Sequence, residues 1–236
     1  MYPVNFRDLP YEQQYKKYQW IQVAATRITR DYRKESFRPD CSTLVLGESV
    51  PSSPGNWSAR AKYVLAKKSR SMEDLYEQQE ADNASLGILK PKRVTDLEIE
   101  PDSPDWPPKF LEALKQQRLF EYREKTLVPP RKVPFKFYFR FECDDPRCKA
   151  NHRMMIEDWE LGALFWRLVD KGASQEDACE KVREKFFGDL CGSDKDTHFY
   201  VGTVLAHPKS WVVIGVFYPK LKQKSSSQGT LFDIGQ

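Results

Sequence analysis

The chain has 236 residues, 40% of them hydrophobic and 31% charged, enough length and apolar content to bury a core as one large domain or two small ones. Its net charge of +4 and pI near 8.7 permit an acidic partner without demanding one, so charge alone does not argue for nucleic acid. The opening MYPVNFRDLP lacks the apolar run of a secretory signal, and no window approaches the roughly 20 apolar residues of a membrane span.

Tyr18 to Thr29 alternates as a strand, and Ser42 to Gly47 as a second, shorter one. Pro51, Pro54 and Gly55 mark a loop, and Trp57 to Lys67 mixes apolar and basic residues without a clear period. Ser71, with Asp74 three residues on, has the form of a capping box and opens a helix from Met72 to about Asp82. Val94 to Glu100 reads as a strand. Pro107 and Pro108 stand where a helix begins, and FLEALKQQRLF puts Phe110, Leu111, Leu114 and Leu119 on one apolar face.

The proline-rich stretch Val128 to Pro134 marks a boundary. Beyond it, FKFYFRFEC alternates cleanly: Phe135, Phe137, Phe139 and Phe141 take one face, and Lys136, Tyr138, Arg140 and Glu142 the other. A helix is expected from about Ile156 to Lys171, stopped by Gly172. Another starts at Ser174 with Asp177 and carries Ala178, Val182 and Phe186 on one stripe. His198 to Thr203 and Trp211 to Tyr218 form a hairpin across AHPKS. The class is α+β: a strand-rich N-terminal half, 1–127, then a C-terminal half, 135–219, whose antiparallel strands pack on two helices, then a flexible tail, 220–236.

The phenylalanine strand runs into CDDPRCKANH. Cys143, Cys148 and His152 are spaced C-x4-C-x3-H, within the range of structural zinc ligation, and Asp144, Asp145 and Pro146 supply the turn between them. Zinc wants a fourth ligand, for which Cys191 and His198, beside the returning hairpin, are the best candidates and Cys179 a weaker one. The alternative is a buried cysteine beside a turn. Five cysteines, an odd number, fit thiols or a metal site in a reducing, cytoplasmic setting better than a disulfide framework. Glu157, Asp158 and Glu160 could serve as base or metal ligands. Acidic residues in the first turn of a helix are also what its dipole favours.

Lys136, Tyr138 and Arg140 share one strand face, the pattern of a basic-aromatic platform and equally that of a solvated sheet face. Arg27, Arg30, Arg33, Lys34 and Arg38 make a second basic cluster, and Lys62, Lys67, Lys68 and Arg70 a third. Together they favour a phosphate-bearing partner, DNA first. The sequence holds no Gly-rich phosphate loop and no GxSxG elbow.

The chain closes on KSSSQGTLFDIGQ, a lysine-and-serine tether followed by apolar side chains. Gln228, Leu231 and Phe232 resemble the short peptide by which bacterial replication and repair proteins hold the sliding clamp. The resemblance implies Leu231 and Phe232 as anchors in an apolar pocket of the clamp, Gln228 as a polar contact and Ile234 as an extra one. The alternative is that Leu231, Phe232 and Ile234 fold back as an edge strand.

YPVNFRDLP, KKYQWIQV, ESFRPD, SLGILKPK and CDDPRCKANH followed by IEDWE look like the motifs of an uncharacterised bacterial family. That resemblance implies a further strand-rich segment ahead of YPVNFRDLP, so that Met1 would begin inside the family's first domain. The expected function is a DNA-associated accessory protein brought to replication or repair sites by its tail. The alternative is a metal-dependent nuclease or phosphodiesterase, within a defence system, that uses Asp144, Asp145, Glu157 or Glu160.

Overall fold

A computed structural model describes residue 6 and residues 9–52, 57–112, 129–148 and 151–221. The loop glycine Gly55, the expected helix beyond residue 112 and the tail residues Gln228, Leu231 and Phe232 lie outside the described residues.

A two-stranded antiparallel ribbon comes first: β1 (Gln19–Arg27) pairs with β2 (Phe37–Ser49), which is longer than its sequence pattern suggested. A short helix, α1 (Ser58–Val64), occupies the segment with no clear period. β3 (Lys68–Ser69) leads into α2 (Met72–Asp82), capped as expected, with the Asp74 N–H donating to Ser71 Oγ at 3.2 Å. β4 (Leu86–Leu89) and β5 (Pro91–Pro101) follow almost without a break. β6 (Phe135–Cys143) lies between β5 and β7 (His152–Met155), and both pairings are antiparallel.

The expected helix near Ile156 starts later, as α3 (Trp159–Asp170), because 152–155 pairs with β6 instead. Gly172, at φ +96°, ends it. α4 (Gln175–Arg183) is capped by Ser174, whose Oγ accepts the Asp177 N–H at 3.0 Å, and runs into a π turn, Glu184–Asp189. β8 (His198–Val204) and β9 (His207–Phe217) form the closing hairpin. Its turn is Leu205–Ala206, so HPKS belongs to the second strand rather than to the loop.

The second sheet has the order β3-β4-β8-β9. The two larger sheets meet where Ile156 bridges Val213 and the Glu157 N–H donates to Val213 O at 2.7 Å. Pairing of β5 with β6 and of β4 with β8 crosses the proline segment at Val128–Pro134. The α+β class is therefore observed: antiparallel sheets with helices against them. One core gathers residues from both sides of that segment, with Leu75, Leu89 and Leu97 beside Phe139, Phe141, Phe165 and Phe199, each 0 or 1% exposed. Phe139 and Phe199 stack at 4.7 Å. Burying each such ring contributes about 1.5–3 kcal/mol.

Candidate metal centre

The alternation of β6 delivers the first ligand. Phe137, Phe139 and Phe141 face inward, and Cys143, the next inward position, is 9% exposed at the strand's end. The chain then turns: the Cys148 N–H donates to Asp145 O at 3.0 Å, and the Arg147 N–H donates to Asp145 Oδ1 at 2.9 Å. His152 opens β7 opposite Phe141 and stacks on its ring at 5.0 Å. Strand register and one Asx turn thus fold three spaced residues onto one point.

The ligand atoms of Cys143, Cys148 and His152 all lie within 4.8 Å of one another. With Zn–S near 2.3 Å and Zn–N near 2.0 Å, tetrahedral ligands stand about 3.5–3.8 Å apart, so small shifts admit the ion. The closest pair is Cys148 Sγ and His152 Nε2 at 2.8 Å. Burial lowers the proton affinity of His152, which keeps the imidazole neutral and able to ligate. Burial also pushes the Cys143 thiol up to about 12. Without a cation it stays protonated and is a poor nucleophile. The group suits metal binding, with thiol and imidazole donors for a borderline ion.

Cys191 and His198 do not join this group, a correction to their expected place in it. His198 begins β8, in the other sheet, where it is fully buried, faces Phe217 and places Nδ1 2.9 Å from Asp196 O. Cys191 follows the π turn, where burial pushes its thiol up to about 12. Cys179 is a core residue of α4, 5% exposed. The head of α2 docks on the turn of the knuckle, with Ser71 Oγ donating to Asp145 Oδ2 at 3.0 Å, and two residues on stands an acid that the spacing did not suggest, Glu73. The sequence signals it only as an acid near a helix start.

Asp158, Glu160 and Asp145, three of the acidic candidates for chemistry, have structural partners, while burial alone raises the carboxyl of Glu157. Asp158 caps α3, accepting the Glu160 N–H at 2.7 Å. Glu160 pairs with Lys17 at 3.1 Å, and Asp145 accepts from Ser71 Oγ at 3.0 Å and from Arg147 at 2.7 Å.

The basic face of β6 is answered by β5. Arg140 meets Glu98 at 2.5 Å, Lys136 meets Asp102 at 3.3 Å, and the Arg153 guanidinium lies 3.4 Å over the Tyr138 ring. In the ribbon's connecting loop, Arg33 pairs with Asp31 at 2.6 Å and Lys34 with Asp82. Arg30 is exposed and has no ion-pair partner among the described residues. A polyanion on β6 would have to displace these acids.

Fold and knuckle together define an α+β protein with a Cys/His group able to hold a metal ion. The chain belongs to the family described as a domain of unknown function, DUF8757, whose model matches residues 68–234. A second domain of unknown function, DUF8758, matches residues 1–66. No curated protein and no solved structure matches the chain. Among the described residues no helix is long and apolar enough to cross a membrane.

Proposed function

We propose that this chain is a zinc-stapled accessory protein that works beside DNA and is delivered there by a C-terminal peptide held in the sliding clamp. Zinc is favoured over harder cations because two of the three gathered donors are thiols and the third an imidazole. The tail carries the recruitment reading. The described fold closes where Leu221 donates its N–H to Asp194 O at 2.8 Å, and Gln228 follows 228 − 221 = 7 residues later. Seven residues span at most about 25 Å, enough for Leu231 and Phe232 to reach a pocket on another protein. Tethering of this kind raises effective concentration without a large interface. The ion-paired face of β6 supports auxiliary contact with DNA through exposed cations such as Arg30 rather than a broad binding platform.

The test is binding of the full chain to a purified bacterial sliding clamp. Wild type is expected to bind in the micromolar range, and the Leu231→Ala, Phe232→Ala double variant to lose that binding. Equal binding by both, or none by wild type at about 100 μM clamp, would remove the reading.

A further inference from the structure

The N-terminal end of α2 is docked on the knuckle. Met72 is the first helical residue and, at 2% exposed, is buried in the same core as Cys143. Ser71 Oγ donates to Asp145 Oδ2 at 3.0 Å, and Arg147 reaches from Asp145 at 2.7 Å to Asp74 at 2.8 Å and Glu77 at 2.5 Å. These contacts hold the first turn of α2 against the turn that carries Cys143 and Cys148.

Glu73 is the next residue along. Its Oε2 is closed off from solvent and has no hydrogen-bond partner among the described residues. An acidic oxygen left so is unfavourable unless a cation or a donor answers it. Its neighbours Ser71 and Asp74 contact Asp145 and Arg147, in the turn between Cys143 and Cys148, where two thiols and an imidazole gather without a fourth ligand. The Glu73 carboxylate stands outside that 4.8 Å group and would have to swing in to join it.

We propose that Glu73 is that fourth ligand, so that Cys143, Cys148, His152 and Glu73 form a closed tetrahedral site for zinc or a similar borderline divalent ion. The proposal rests on the zinc reading above and deepens it. On binding, the two thiols release their protons to solvent. The ion then links the head of α2 to a turn 143 − 73 = 70 residues further on. The site is structural: the fourth position is filled from within, with no place kept for water.

The test titrates the metal-free full chain with cobalt(II) and with zinc against a chromogenic chelator. Wild type is expected to take one ion per chain, with the strong visible cobalt bands of four-coordinate geometry. Glu73→Gln and Glu73→Ala should weaken binding at least about 10-fold. Glu73→Cys should bind well, shift the cobalt bands and add sulfur-to-cobalt absorbance from a third thiolate. A merely structural glutamate would not produce that signature. If Glu73→Gln and Glu73→Ala bind within about 2-fold of wild type while Cys148→Ser does not bind, the Glu73 proposal falls and the zinc reading stands. If wild type takes no metal, both fall.

Discussion

Asp158 is 9% exposed at the head of α3, with Oδ1 accepting the Glu160 N–H at 2.7 Å. Burial raises its carboxyl above the usual range, so the charge is carried at a cost while the cap is a gain. The two effects separate by mutation. Asp158→Asn keeps a capping oxygen and removes the charge, and its stability should stay within about 0.5 kcal/mol of wild type or rise. Asp158→Ala removes both and should lose about 1 kcal/mol. Chemical denaturation of the two variants decides the matter: an Asn variant as damaged as the Ala variant would mean that the charge itself contributes to folding. Glu73 illustrates the limits of local reading. Its place in the first turn of α2 has the ordinary look of dipole-favoured acid, and only the docking of that turn on Asp145 and Arg147 sets it apart.

The packing of α2 against β4 leaves no spare volume. A Cβ added at Gly87 would stand 2.4 Å from Leu75 Cδ2 and 3.6 Å from Val201 Cγ2, and Leu75 is 1% exposed. Gly87→Ala should therefore cost about 1–3 kcal/mol through displaced packing, measured as a lower midpoint in thermal unfolding. An unchanged midpoint would show that Leu75 has room to turn. β4 was not apparent as a strand because LGIL is four residues with a glycine inside, and its strand character comes from pairing with β8. β6, by contrast, carries four alternate phenylalanines and needs no partner to be recognised. Its outer cations also read correctly as a face. Their neutralisation by Glu98 and Asp102 depends on which strand pairs beside them.

Across the molecule, ion pairs set the response to acid. Arg147 holds the Asp145 carboxyl well below the usual range, Arg33 does the same for Asp31, Arg183 lowers Asp96, and Arg153 with Arg140 lowers Glu98. A carboxyl whose folded pKa is depressed contributes stability above its unfolded value, near 4, and loses it as pH falls through the folded value. Glu157 and Asp158, raised by burial, act in the opposite sense, and the depressed groups outnumber them. The urea midpoint of metal-free protein should fall first below about pH 6.5, where the unfolded chain protonates histidines that burial keeps neutral in the fold, and again below about 4 as the paired carboxylates are lost. A midpoint that rises toward pH 3 would contradict this balance. The metal-free form is specified because protonation of Cys and His ligands would otherwise add its own acid sensitivity.

What the sequence by itself determined is local: the two-residue period of β6, the Ser71 and Ser174 caps, the Gly172 stop, and the closeness of Cys143, Cys148 and His152, all separated by ten residues or fewer within each feature. Only the tertiary structure decided that β5 pairs with β6 across the proline segment, that Cys191 and His198 sit apart from the knuckle, and that the head of α2 docks on its turn. The reason is physical: backbone period, capping and turn geometry act over a few bonds and are written where they act. Contacts between distant segments are instead settled by the summed burial of many side chains, which no short stretch contains.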